Sequence, residues 1–307
     1  MIDPILFNIN LGFTVIPIRW YGLLIVIGAL AAAFYASWYV KRKERDPNIV
    51  WDAMIWLLIA GIVGARIWYV IADIIGGNTR YLDDPISMLY ITQGGINILG
   101  GIMVGAIAGW YYAKRNQIDM WLLADAVGPA LLIGQAIGRL GNYINQELYG
   151  PPTTLPWGIP IAAEHRIPPW NDLVQYPVET TLFHPTFAYQ MIWNLVFAGV
   201  LIYLVVKHGD KLKTGVIAGS ALLIAGVGRT WLEAYFRPDQ PRFFGLGVST
   251  SMIVAIIFAL FGLFIILVKT GRLKVSFMQP GSTEYTKKAV RRPPAPGGTR
   301  RKKAEKS

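Results

Sequence analysis

The stretch GRLGNYINQELYG at residues 138–150 places an arginine, two asparagines, a glutamine and a glutamate directly after the apolar run 126–137. An ionisable side chain at membrane depth costs at least ~2.5–3.5 kcal/mol unless it is paired, so Arg139 requires a partner or a ligand. Arg139 and Asn142 are three residues apart and share a helix face from which both can grip one ligand. Gly138 and Gly141 let another backbone or a substrate come close. A lone arginine snorkelling from a helix end is the plain alternative. A polar cluster of this size reads instead as a functional site.

Two more arginines stand in apolar surroundings, Arg66 and Arg229, and Arg229 has Glu233 one helical turn on. Arginine's planar fork suits phosphate, and a lipid phosphodiester is the anion available at headgroup depth. The chemistry suggested is therefore recognition of an anionic lipid. Arg66, with no such support, is expected to pair with a carbonyl. Asp125 sits near the other end of its span, where a packing or capping role is expected.

The elements that must hold these groups are membrane helices. The 307 residues are 54% hydrophobic and only 15% charged, with a mean hydropathy of +0.42 and 11 tryptophans, a composition that fits a multi-span helical protein. Taking about 20 apolar residues per crossing gives seven spans, at 20–40, 53–72, 88–113, 121–143, 187–206, 214–235 and 243–268. The first is long enough to remain as a membrane helix rather than be cleaved as a signal peptide. Glycines four apart at 101, 105 and 109, and at 134 and 138, are expected to mark close helix packing.

Loop lysines and arginines follow spans one, three, five and seven, which puts the amino terminus outside and the carboxyl terminus in the cytoplasm. In that orientation Tyr21, Arg66, Gly94, Gly95, Asn97, Arg139, His184 and Arg229 all lie toward the outer leaflet. Their convergence is the central expectation. The long connection from 143 to 184 is rich in proline, and Trp157, Trp170 and Tyr176 give it something to pack with, so it is expected to form a compact, partly extended head. Twelve of the 29 Lys and Arg residues lie from Lys269 onward, so nearly all of the net charge of +11 belongs to a polar, proline-rich tail. Attraction to anionic headgroups explains such a tail without nucleic acid.

The chain thus reads as an all-α integral membrane protein with seven transmembrane helices, an extracytoplasmic head module and a disordered basic cytoplasmic tail. Helices one to four occupy 1–142, the head 143–184, helices five to seven 185–270, and the tail 271–307. There is no cysteine, and the three histidines are scattered at 165, 184 and 208, so a disulfide framework, a cysteine nucleophile and a metal centre are not expected.

GRLGNYINQELYG resembles the signature of the bacterial prolipoprotein diacylglyceryl transferases. IRWYGL at 18–23, the GG…GG segment at 94–101, HPT at 184–186 and GRTWLEAYFRPD at 228–239 follow in that family's order. The resemblance implies an enzyme of the bacterial plasma (inner) membrane that moves the diacylglyceryl group of phosphatidylglycerol onto the thiol of the lipobox cysteine in a prolipoprotein signal peptide, releasing glycerol phosphate. It implies no cofactor and no metal. The alternative is a lipid-binding or lipid-translocating membrane protein without transferase activity.

Matched motif by motif, Arg139 and Arg229 would hold the phosphate. Glu147 would be either the base near the thiol or a partner of Arg139, and His184 is a further catalytic candidate. Tyr21, Gly100, Asn142, Asn145, Gly150 and Glu233 would bind substrate, with Tyr21 and Asn142 orienting the headgroup, Gly150 closing the turn and Glu233 orienting Arg229. Four positions depart from the pattern. Leu99 stands where a histidine is expected, Ala225 where a tyrosine is expected one turn before Arg229, and Phe187 and Gln190 where glutamine and glutamate are expected after HPT. Leucine takes no proton, so the base is sought in Glu147, His184 or the phosphate itself.

Overall fold

The computed structural model of the chain describes residues 2–10, 12, 15–90, 94–237 and 248–285. Among these, six helices are long and apolar enough to cross a membrane: α1 (Trp20–Arg42), α2 (Asn48–Ile75), α5 (Met120–Ile144), α6 (Thr186–His208), α7 (Val216–Phe236) and α8 (Thr250–Thr270). The first residues of the seventh expected span, 243–247, lie outside the described residues. A four-residue turn, α3 (Arg80–Asp83), follows α2. The third expected span is α4 (Ile98–Arg115), which begins ten residues later than hydropathy suggests and has only 18 residues.

α5 is the hub, packing against α1, α6 and α7, while α8 lies on α7 and α4 on α2. Contacts between glycines let these backbones meet. A Cβ on Gly28 would lie 2.9 Å from the carbonyl oxygen of Gly134, and one on Gly64 would lie 2.6 Å from that of Gly100. Gly101 and Gly134 fulfil the packing expectation, whereas Gly105 and Gly138 face open space. A core of Tyr39, Leu122, Leu132, Leu201 and their neighbours fills the centre.

Helix starts follow their caps. The side chains of Asn97, Asp119 and Ser249 accept from the backbone N–H groups of Leu99, Trp121 and Met252, satisfying donors that a helix start leaves open. The start of α7 is capped from another helix: Asp125 of α5 accepts from Gly215 N at 2.7 Å and Ala218 N at 2.8 Å. Asp125 thus takes its expected capping role, at the end of the bundle opposite the polar cluster.

The late start of α4 has a physical cause. Gly94 and Gly95 adopt φ of +89° and +74°, which breaks the apolar run. The irregular chain before α4 leaves carbonyls without helical partners, and Arg66 of α2 satisfies them. Its guanidinium donates to the carbonyls of Ser87, Met88, Gly94 and Gly95 at 2.7–2.9 Å while only 8% exposed. Non-helical backbone at membrane depth is tolerated where protein groups saturate it in this way. The carbonyl pairing expected of Arg66 is found four times over.

The chain is not purely α. Strands β1 (Ile5–Asn10) and β2 (Val15–Arg19) form an antiparallel hairpin leading into α1. The connection between α5 and α6 holds a small sheet ordered β3 (Pro152–Thr153), β5 (Leu182–Phe183), β4 (Ile159–Pro160). Tyr149, Ile161, Trp170 and Phe183 make its buried core. Trp170 packs as expected and Tyr176 lies against it, but Trp157 stays outside.

The tail also differs from expectation over its first part. Residues 271–285 fold back beneath the bundle: Thr214 N donates to Ser282 O, and the Tyr285 hydroxyl donates to Asp125 at 2.8 Å and meets the Tyr39 hydroxyl at 2.6 Å. Residues 286–307, which carry the densest basic run, lie outside the described residues.

Candidate active site

The last turn of α5 and the residues after it build one connected polar network. Arg139 donates through Nη1 to Oδ1 of Asn142 at 2.9 Å, as their three-residue spacing implies. Asn142 in turn donates through Nδ2 to Oε1 of Glu147 at 2.8 Å, and Asn145 donates to the same oxygen at 3.3 Å. Asn142 is 4% exposed, whereas Glu147 is exposed. Glu147 therefore reaches Arg139 through Asn142 rather than by a direct ion pair.

The backbone bends sharply to achieve this. Gln146 and Leu148, the two neighbours of Glu147, adopt φ of +52° and +57°. Left-handed backbone at non-glycine residues costs of order 1–3 kcal/mol each and persists where surrounding structure enforces it. Glu147 N donates to Asn142 O at 2.9 Å and Gln146 Oε1 accepts from Ala162 N at 2.8 Å, which fixes the turn to the helix end and to the head.

α7 supplies the second cation. Arg229 and Glu233 form an ion pair one turn apart, with Glu233 buried. The other oxygen of Glu233 accepts from the hydroxyl of Ser249 at 2.9 Å, the same hydroxyl that caps α8. Ser249 is a site residue that sequence reading missed. Its signal was a serine just ahead of an apolar run, where an N-cap is expected.

These groups converge around Arg139, which lies within electrostatic range of Arg229, Arg237, Tyr21 and Glu147. The ring of Tyr21, on the first turn of α1, lies over Gly141, where a Cβ would strike it. The cationic trio differs from expectation. Arg66 is consumed by its four carbonyls, and Arg237, just past the end of α7, stands near Arg139 in its place. Three positive charges at one site call for anionic partners, and Glu233, paired with Arg229, and Glu147, within range of Arg139, are two of them. Nε of Arg139 is buried without a hydrogen-bond partner among the described residues.

Gly150 ties the head to two helices. Its N–H donates to His184 O at 2.8 Å, and a Cβ there would lie 2.7 Å from Thr186 Oγ1, 3.0 Å from His184 Cβ and 3.3 Å from Phe236 O. His184 is half-buried, its ring edge-on to Phe236 and its Nδ1 2.9 Å from the Tyr189 hydroxyl. Burial pushes its pKa below the ordinary value of 6.5.

Gly100 does not join the cluster. It packs closely against Gly64 and Trp68 of α2, where an added Cβ would clash with both. Leu99 lies on the first turn of α4 beside it, and Ala225 packs against the central core. Among the described residues no group of histidine and carboxylate side chains could hold a metal.

Comparison with known proteins identifies the family. Residues 4–268 match the family model of the prolipoprotein diacylglyceryl transferases. Proteins named phosphatidylglycerol–prolipoprotein diacylglyceryl transferase are similar over most of the chain. The one from Chloroflexus aggregans is 40% identical over 254 residues, covering 80% of this chain and 81% of that protein. The one from Bifidobacterium adolescentis is 36% identical over 247 residues, covering 78% and 72%. The one from a Nostoc species is 40% identical over 221 residues, covering 71% and 74%.

Proposed function

The chain belongs to the prolipoprotein diacylglyceryl transferase family, and from that premise we infer that it transfers the diacylglyceryl group of phosphatidylglycerol to the thiol of a prolipoprotein cysteine, releasing glycerol phosphate. It is a multi-pass membrane transferase. We propose that it sits in the bacterial inner membrane with seven spans, α4 included, its amino terminus and head module outside and its basic carboxyl terminus in the cytoplasm. The distribution of loop lysine and arginine supports this orientation. The acceptor is a signal peptide carrying the lipobox cysteine, which supplies the thiol that this chain, without cysteine, does not contain.

In this reading Arg139 and Arg229 bind the lipid phosphate. The observation that carries it is the cluster of Arg139, Arg229 and Arg237 at one end of α5 and α7, each of the first two held by its own polar partner. Cations fixed before the reaction stabilise charge as it develops on a leaving group, without reorganisation. The thiol sulfur attacks the glycerol carbon that bears the phosphate ester. A C–S bond forms, the C–O bond breaks, and its electron pair passes to the phosphate oxygen, where the arginines await it.

Glu147 takes the thiol proton. Its Oε1 is held by two amides, and its Oε2 has no hydrogen bond among the described residues, which supports a base on that oxygen. Tyr21, over Gly141, and Asn142 orient the headgroup, while Asn145 steadies Glu147. Gly150 and Glu233 act through what they position, the head and Arg229 respectively. Leu99 has no part in proton transfer.

The test uses the purified protein, phosphatidylglycerol and a peptide bearing a lipoprotein signal, with mass spectrometry of the peptide. The expected result is a gain of one diacylglyceryl group that disappears when the peptide's cysteine is replaced by serine. Glu147→Gln keeps the acceptor for Asn142 and Asn145 but takes no proton, and loss of a general base removes ~10²–10⁴-fold in rate. Lipid binding without any transfer by the unaltered protein would sink this reading.

A further inference from the structure

His184 is the one catalytic candidate that the scheme above leaves without a role, and its surroundings are unusually complete. Its backbone is pinned on both sides: N–H donates to Pro151 O at 3.1 Å, and its carbonyl accepts from Gly150 N at 2.8 Å and Thr186 N at 2.9 Å. The ring stands edge-on between Tyr189 of α6 and Phe236 of α7. Neither α6, α7 nor the Gly150 turn brings a charged side chain against it among the described residues.

The neighbours of the Tyr189 hydroxyl favour one direction for its hydrogen bond to His184. Nε1 of Trp157 lies 2.8 Å from the Tyr189 hydroxyl. An indole nitrogen only donates, so the phenol oxygen accepts from Trp157. The phenol's one proton then has an acceptor 2.9 Å away, Nδ1 of His184. A neutral imidazole that accepts at Nδ1 carries its proton on Nε2. Nε2 makes no hydrogen bond to any described residue.

We propose that Trp157 and Tyr189 are positioning residues that lock His184 as an Nε2–H donor to an oxygen of the phospholipid, and that His184 is therefore not the base. This rests on the transferase reading of the same site. A phosphodiester presents only acceptor oxygens, so a donor is what it can use. Burial, which disfavours the imidazolium, keeps the ring in the neutral form that this donor role requires. Trp157 belongs to the head and Tyr189 to a membrane helix, so seating of the head on α6 completes the lock.

Two variants at position 184 separate the roles. Glutamine places an N–H donor near the position of Nε2, asparagine places one near Nδ1, and neither is a base. If His184 donates, His184→Gln keeps activity within about tenfold of the unaltered protein while His184→Asn falls much further. If both variants lose activity alike, the proposal is overturned.

The second readout is nitrogen NMR of the full chain with labelled histidine, assigned by His184→Gln among three histidines. The expected signal is a neutral ring protonated at Nε2. In Tyr189→Phe that preference is lost, the acid limb of the pH–rate profile moves up toward the ordinary histidine value, and kcat falls with KM little changed. A ring protonated at Nδ1 in the unaltered protein would overturn the proposal. Failure of the unaltered protein to transfer lipid at all would remove the transferase reading yet leave the NMR prediction standing.

Discussion

Asn142 donates to Glu147 at 2.8 Å while accepting from Arg139 at 2.9 Å, so one buried amide holds the cation and the carboxylate of the site in register. Asn142→Ala removes both bonds. Hydrogen bonds to charged groups are worth ~1.5–3 kcal/mol, so kcat/KM should fall by roughly 10–100-fold per bond lost. Asn142→Asp keeps an acceptor for Arg139 but turns a donor into a charge facing Glu147, and should lose at least as much. Steady-state kinetics on both variants, with thermal melting to confirm folding, checks this. Unchanged kinetics in Asn142→Ala would refute the relay.

Charge alone is not enough at the two phosphate-facing arginines. Lysine keeps the charge and loses the planar fork. Arg139→Lys should lose its bond to Asn142 or its reach to the phosphate, and Arg229→Lys should keep its pair with Glu233. The expected cost is about 10²–10³-fold in kcat for either arginine replaced by alanine, with Arg229→Lys the mildest of the four changes. Single-turnover rates at saturating lipid separate this loss from weaker binding.

Gly150→Ala tests the junction between head and bundle. The added methyl would stand 2.7 Å from Thr186 Oγ1 and 3.0 Å from His184 Cβ. Overpacking of this kind costs about 1–3 kcal/mol. Trimming the neighbour in Gly150→Ala, Thr186→Ala should restore part of the melting temperature, and no rescue would mean that the clash with Phe236 O dominates.

The positions of these helices were legible because apolar length is a strong signal, and Trp20 and Met120 open their helices within one residue of where hydropathy puts them. The Arg139–Asn142 pair was legible from helical spacing alone. α4 was not, because the ten residues ahead of it are apolar enough to pass for helix; only the paired glycines at 94 and 95 hint at the break. The partners of Arg66 were hidden for a different reason, since they lie 21 to 29 residues away in the chain. The exchange of Arg66 for Arg237 beside Arg139 likewise depends on side-chain reach that sequence depth cannot supply. Pairing of β1 with β2 had a local signal, alternating apolar residues around Gly12, which the search for spans passed over.

Tyr285→Phe tests the strap beneath the bundle, which lies beyond the part of the chain that matches the family model. Burial and the nearby Asp125 raise the pKa of the Tyr285 phenol, so it remains a donor at all ordinary pH. Removing the hydroxyl leaves Asp125 its two backbone donors and should cost about 1.5–3 kcal/mol of stability. Transfer activity well below the melting temperature should be unchanged, because Asp125 sits at the opposite end of α5 from Arg139. A large loss of activity in a fully folded variant would contradict that separation.

Acidification should act through His184. Its native pKa lies below the unfolded value of about 6.5, so the native state binds fewer protons in that interval and stability rises with pH across it. The contribution is full above about 6.5 and is lost as pH falls through the lowered native value. His184→Gln should flatten this slope in melts taken between pH 5 and 7, and an unaltered slope would assign it to another group.

The four carbonyls gathered by Arg66 also bear on how the chain is made. α2 leaves the ribosome with a guanidinium whose acceptors, residues 87–95, have yet to be synthesised. Alone in the lipid that side chain would face a cost of ~2.5–3.5 kcal/mol or more. Integration of α2 and α4 is thereby coupled, and the two should enter the bilayer as a hairpin rather than in succession. Insertion of a fragment ending at residue 78 should be poorer than that of one ending at 115, and Arg66→Leu should erase the difference while costing the finished fold its anchor.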